Sequence, residues 1–207
     1  MKTKTWTIFG AGDFINDIID AIESRGEQAE FIVLNKPLEI NVIEKIPSSI
    51  KILKLEEFMP STDYYILGFV APNKKPLLDN LERFKLHYSN LIHKFSYVSG
   101  TTRMGQGNFI GAGVVLAPYT HLGNYNYVNR SVSIGHDTEI LNFNHFGPGC
   151  TVAGNCKIGN GNFLGSGSVL INNIEIGDEI IVGAGGVVVK GILVSGTYTG
   201  VPAKYVK

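Results

Sequence analysis

Residues 104–128 read MGQGNFIGAGVVLAPYTHLGNYNYV, and in that stretch Met104, Ile110, Leu116, Leu122 and Val128 stand six residues apart. Followed outward, the same register begins at Ile92 and ends at Val188. It passes Val98, Ile134, Ile140, Phe146, Val152, Ile158, Leu164, Leu170, Ile176 and Val182, with an aliphatic residue, Met or Phe at all 17 positions. The next residue is glycine in nine of these hexads, Gly105, Gly111, Gly123, Gly159 and Gly183 among them. The residue four after the aliphatic is usually small, as with Ser96, Thr102, Val114, Cys150 and Ser168. A period of six fits neither a helix nor an ordinary strand. It fits a chain that turns a corner every six residues with one apolar side chain inward each time, three hexads closing one triangular coil of 18 residues. The repeat therefore predicts a parallel β-helix, with the recurring glycine expected to relieve the φ constraint beside each corner.

The remainder of the chain obeys other rules. Residues 92–191 hold 19 of the 25 glycines and only 10 of the 36 charged residues, which sets a domain boundary near residue 90 and divides the chain into 1–91 and 92–207. In 207 residues, 18 basic side chains balance 18 acidic ones, so the excess of Lys and Arg that phosphate contacts demand is absent and nucleic acid is not an expected partner. The start, MKTKTWTIFGAG, reaches Gly10 before a signal-peptide apolar region develops. No stretch approaches the roughly 18 apolar residues that span a bilayer, so the expectation is a cytoplasmic protein with no membrane partner. The two cysteines, Cys150 and Cys156, lack zinc-site spacing and fall on the small-residue position of consecutive hexads, which reads as two buried thiols on different faces.

The first 91 residues read as alternating strands and helices. Thr5–Phe9 is an apolar, β-rich run meeting Gly10-Ala-Gly12, and residues 14, 15, 18, 19 and 22 are apolar at helical spacing. Phe31–Leu34, Ile50–Leu53 and Tyr64–Phe69 give three further strands and Lys74–Phe84 a further helix. The pattern predicts a small Rossmann-like α/β unit, whose candidate ligand positions are Gly10 and Gly12 in the first turn and Gly68 in the fourth strand. The same glycines equally serve a tight strand-to-helix turn with no ligand.

Three segments carry a resemblance: Ile134-Gly-His-Asp-Thr-Glu-Ile140, His145-Phe-Gly-Pro-Gly-Cys-Thr-Val-Ala-Gly154 and Gly200-Val-Pro-Ala-Lys204. In these the chain resembles the hexapeptide-repeat, left-handed β-helix acyltransferases, and within them the sialic acid O-acetyltransferases and nucleotide-amino-sugar N-acetyltransferases of bacterial surface glycan synthesis. The left hand of the helix is implied by that resemblance alone. So are acetyl-CoA as acyl donor, a homotrimer, and an N-terminal domain that holds the nucleotide of a sugar nucleotide. The chain departs from the family's pattern in that first domain. Asp13 and Phe14 stand where a second glycine and a histidine are usual, and Asn35 and Lys36 replace an acidic pair after the second strand. Asp13 would repel a diphosphate, while Lys36, Lys74 and Lys75 offer compensating charge.

Acyl transfer from a thioester needs a base for the nucleophile's proton, a donor for the oxyanion and a slot for the donor's arm. Five histidines are available: His87, His93, His121, His136 and His145. His87, before the repeats, and His93, at the first corner, read as solvated surface residues, and His121 as an ordinary hexad residue. His136 occupies a corner where neighbouring coils carry small or polar residues, and Asp137 follows it, a carboxylate able to fix the imidazole tautomer.

The resemblance makes His136 the base and Asp137 its acidic partner, with Asn129 an active-site residue on the acceptor side and His145 a contact to the acyl donor. Asn129 stands where nine other hexads have glycine, and an asparagine tolerating a left-handed corner is its alternative reading. By the same resemblance coenzyme A runs between subunits along backbone at Gly154, Gly165, Ser166 and Ala184. The Gly154 amide is then the candidate oxyanion donor, and Lys190 and Lys204 are candidate phosphate contacts. The acceptor is expected to be the amine of a nucleotide-activated amino sugar, with Gly10, Gly12, Asn35, Lys36 and Gly68 at its site and no metal. O-acetylation of sialic acid and a noncatalytic sugar-nucleotide-binding protein are the alternatives. Zinc hydrolysis, another use of trimeric β-helices, fits poorly, since His121, His136 and His145 are spaced 15 and 9 apart.

Overall fold

The computed structural model describes residues 3–12, 14–34, 40–68 and 75–207. From Leu91 onward the chain is a parallel β-solenoid of three faces, each built from short strands that pair one coil apart. The first face carries the strands that begin at Leu91, Phe109, Tyr127, His145, Phe163 and Ile180. The second carries those at Tyr97, Val115, Ser133, Thr151, Val169 and Val187, and the third those at Arg103, His121, Glu139, Lys157 and Glu175. All 17 aliphatic positions of the hexad register lie in or against one apolar core, most of them fully buried. A final strand, Gly196–Thr199, pairs with Ile180–Val182 and with the antiparallel Lys204–Tyr205.

The corner works differently from the sequence expectation. Positive φ falls three residues after the aliphatic, at Gly107, Gly113, Tyr119, Ser131, Asp137 and Asn155, and not at the glycine directly after it. That glycine is needed for coil stacking: a Cβ at Gly135 would meet the Gly154 nitrogen at 2.5 Å, and one at Gly147 the Ser166 nitrogen at 2.7 Å. The small-residue position also has a polar version. Asn108, Asn126, Asn144 and Asn162 stack along the axis, each donating its backbone N–H and Nδ2 to the Oδ1 of the asparagine one coil below. These buried amides are therefore satisfied, as burial requires. Cys150 and Cys156 are buried free thiols, as expected, and burial pushes the Cys150 thiol up to about 11.

Ahead of the solenoid, four parallel strands form a sheet: β1 (Thr5–Phe9), β2 (Gln28–Leu34), β3 (Lys51–Lys54) and β4 (Tyr64–Leu67), in the order β3-β2-β1-β4. Helix α1 (Ile15–Ser24) follows β1, a short α2 (Ile40–Ile43) that the sequence reading missed follows β2, and α3 (Lys75–Leu81) continues as a 3₁₀ turn, Glu82–Phe84. Apolar residues of α1 pack on both sides: Ile15, Ile18, Ile19 and Ile22 share one core with Trp6, Ile8 and Ile32 of the sheet and with Leu91, Phe109 and Tyr127 of the first solenoid face. The helix thus joins the two parts. At its far end His93 is buried, not solvated as expected. Its Nε2 lies 3.1 Å from Asp20 Oδ2, and its Nδ1 accepts the Phe95 N–H.

Candidate active site

The edge between the second and third faces carries His136. Ile134 points inward, Gly135 passes close beneath the next coil, and the left-handed Asp137 (φ 54°) swings its carboxylate back so that Oδ2 lies 2.7 Å from His136 Nδ1. Aspartate tolerates that conformation better than most residues. A carboxylate only accepts, so Nδ1 carries the proton and Nε2 presents its lone pair. Both side chains are more than half exposed. One coil along, Gly154 is buried, and a Cβ there would lie 2.8 Å from His136 Nε2, so the imidazole rests on glycine backbone. Among the described residues the Gly154 N–H has no hydrogen-bond acceptor, a property it shares with the corresponding corner amides of Ala112, Ser166 and Ala184. The two edges that flank the second face therefore carry free amide N–H groups, whereas on the third edge Gln106, Asn124, Asn142 and Asn160 donate theirs to side chains one coil along. Lys190 lies exposed on the His136 edge, in the same corner position, and Lys204 is exposed in the last strand.

The remaining expected donor contacts lie elsewhere. Gly165, Ser166 and Ala184 follow one another up the edge between the first and second faces, where a Cβ at Gly165 would strike the Ala184 nitrogen at 2.6 Å. Asn129 is on that edge too. It occupies the crowded stacking position and has no positive φ, which removes its reading as a left-handed corner; Ser131 fills that role. Asn129 is 1% exposed; its Oδ1 accepts the Arg130 N–H at 2.7 Å, while Nδ2 has no partner among the described residues. His145 points outward on the first face, 5% exposed, stacked between Tyr127 and Phe163 with Phe14 6.0 Å away. One chain thus places His136, Asp137, Gly154 and Lys190 on one edge and Asn129, Gly165, Ser166 and Ala184 on another, with His145 apart from both. His87 and His121 are exposed, the latter between Arg103 and Glu139 on the charged third face.

At the N-terminal sheet, Gly10 (φ 76°) ends β1 and Gly68 follows β4, so close that a Cβ on Gly68 would collide with the Gly10 carbonyl. Gly12 has open space where its side chain would be. Asp13, Asn35, Lys36 and Lys74 lie outside the described residues, and α3 opens at Lys75. Two charged groups here escaped the sequence reading. Asp17 belongs to the first turn of α1 and Arg130 follows Asn129, and only the docking of α1 on the solenoid brings them near each other. Among the described residues no cluster of His, Cys, Asp and Glu suits a metal ion, and no helix is long and apolar enough to cross a membrane.

The solenoid and its corner histidine define a class: the structural neighbours of this chain are hexapeptide-repeat β-solenoid acyltransferases, and the resemblance drawn from the three sequence segments is borne out. In particular, a mutant perosamine N-acetyltransferase from Caulobacter crescentus, solved with CoA and GDP-perosamine, matches with 26% identity and a TM-score of 0.88 over 100% of this chain and 98% of its own. The acetyltransferase domain of PglB from Neisseria gonorrhoeae, in complex with acetyl coenzyme A, shares the fold at 22% identity and a TM-score of 0.87, covering 99% and 100% of the two chains. A mutant of AntD, an N-acyltransferase from Bacillus cereus in complex with dTDP and coenzyme A, shares it over 62% of this chain and 87% of its own, at 20% identity and a TM-score of 0.52. No protein-family model and no curated protein sequence matches the chain.

Proposed function

We propose that this protein is an acetyl-CoA-dependent N-acetyltransferase acting on the amine of a nucleotide-activated amino sugar, in the cytoplasm, for surface glycan synthesis. The carrying observation is the His136–Asp137 pair seated over the Gly154 backbone, on a solenoid that matches a GDP-perosamine N-acetyltransferase along its whole length. His136 Nε2 takes a proton from the amine as the nitrogen attacks the thioester carbonyl. Asp137 steadies the imidazolium, and the Gly154 N–H donates to the oxyanion. When the carbon–sulfur bond breaks, the imidazolium returns its proton to the departing thiolate. Gly165, Ser166, Ala184, His145, Lys190 and Lys204 are the donor contacts in this reading.

The active assembly is a homotrimer. The second face lies between the two edges that carry the half-sites, and its outward residues, Tyr97, Val115, Ser133, Thr151, Val169 and Val187, are uncharged. The third face shows Arg103, His121, Glu139, Lys157 and Glu175. Packing three second faces about an axis sets the His136 edge of one copy against the Asn129 edge of the next, completing three sites at once.

The left-handed solenoid and a Rossmann-like acceptor domain belong to the same reading. Strand order reverses between β1 and β4, and ligands of open α/β sheets bind beyond the strand ends at such a switch point, here at Gly10 and Gly68.

Thiol release from acetyl-CoA, measured with UDP-, dTDP-, GDP- and CMP-linked amino sugars and with sialic acid, tests the assignment. Release with an amino-sugar nucleotide is expected. Release with sialic acid alone would transfer the assignment to O-acetylation, and none with any acceptor would leave a binding protein.

A further inference from the structure

Where the first turn of α1 crosses the solenoid, Asp17, Tyr127 and Arg130, to which the proposed chemistry gives no role, gather beside Asn129. Asp17 is half-buried; burial pushes its carboxyl up, and the nearby Arg130 guanidinium opposes that shift. Tyr127, 2% exposed, lies 5.7 Å from Phe14 and stacks on Phe109 and His145. Its Oη, within the electrostatic reach of both Asp17 and Arg130, has no hydrogen-bond partner among the described residues. Two residues on, Asn129 Nδ2 is likewise buried and unpartnered. Unmet polar groups in such surroundings cost free energy unless something else meets them. Asp17 and Arg130 sense each other's charge without forming one of the ion pairs found among the described residues, which are Arg25–Glu27, His93–Asp20 and His136–Asp137.

We propose that Asp17 and Arg130 form a two-ended clamp on the acceptor, Arg130 neutralising the diphosphate and Asp17 accepting hydrogen bonds from the amine or hydroxyls of the sugar. Tyr127 and Asn129 supply the further polar contacts. This rests on the acceptor class and the trimer assigned above. The diphosphate has to find positive charge on this side. The turn after β1 places the acidic Asp13 beside Phe14 in the sequence, and Arg130 is exposed on the solenoid edge that α1 overhangs. In the trimer that edge faces the neighbouring copy's His136 edge, so a sugar held between Asp17 and Arg130 extends toward the base.

Calorimetry on the intact protein separates the two ends of the clamp. The probes are free GDP, UDP and dTDP, GDP-perosamine, and UDP- and dTDP-linked amino sugars, each against Arg130→Gln, Arg130→Lys and Asp17→Asn. Arg130→Gln should weaken free nucleoside diphosphates and sugar nucleotides alike, by roughly 10- to 100-fold, and flatten their salt dependence, with partial recovery in Arg130→Lys. Asp17→Asn should weaken the amino-sugar nucleotides alone. Coenzyme A affinity should stay constant throughout, which shows that the variants are folded. Equal binding by wild type and variants would overturn the clamp, as would parallel loss of coenzyme A, the mark of a merely structural role. A wild-type protein that binds no sugar nucleotide would instead overturn the acceptor class itself, and the clamp with it.

Discussion

The His136 imidazole is fixed from two sides, by Asp137 Oδ2 at 2.7 Å from Nδ1 and by the Gly154 backbone beneath Nε2. Replacing His136 with alanine should lower kcat by roughly 10² to 10⁴-fold with coenzyme A affinity kept, and Asp137→Asn should cost less, because tautomer control weakens while the base survives. Gly154→Ala tests the floor of the site. The added methyl would push the imidazole aside, so kcat should fall although no polar group is lost, and wild-type turnover in either His136→Ala or Gly154→Ala would reject this arrangement. The pairing of His136 with Asp137 was legible because the two are adjacent in sequence. The resemblance marked Gly154 as an amide donor, but its place as the floor beneath the imidazole was not legible, because it lies 18 residues away and meets His136 only when coils stack. His93 was misread for a related reason: a corner in the repeat looks solvated until α1 is laid over it.

In each hexad the sequence period reveals the inward side chain but not the division of labour between its two special backbone positions. Glycine directly after the aliphatic makes room for the neighbouring coil, whereas the left-handed residue two further on turns the chain and accepts even Tyr119, Tyr125 and Phe143. Substitution distinguishes them. Gly147→Ala, forced against the Ser166 nitrogen, should destabilise by roughly 1–3 kcal/mol. Tyr119→Asn, at an exposed left-handed corner, should recover part of the roughly 1–2 kcal/mol that an L-residue loses there. Thermal unfolding of the two variants reads the signs, and a stabilising Gly147→Ala would refute the stacking account. The four strands of the sheet were legible from their apolar runs. Helix α2, only four residues long, is too short for any periodicity to mark.

At the scale of the molecule the three faces differ in surface chemistry: the first is covered by α1 at Leu91, Phe109 and Tyr127 while Phe163 and Ile181 stay exposed, the third is charged, and the second is uncharged. In the proposed trimer, Thr151→Glu in the middle of the second face would bring three carboxylates together at the three-fold axis. It should yield monomers by light scattering and abolish turnover, although His136 is untouched. A wild-type monomer with full activity would refute the trimer. The regular stack has a further consequence. His136, Gly154, Asn172 and Lys190 occupy the same corner position of four successive coils, and coils are spaced like paired strands at about 4.8 Å, which sets His136 and Lys190 roughly 14 Å apart along the axis. The solenoid is in effect a ruler graduated in coils, on which the reach of a donor's flexible arm is measured between the group that holds its far end and the group that works on its tip. Removing one whole coil between the two marks would preserve every face and every buried contact type while shortening the scale by a single graduation.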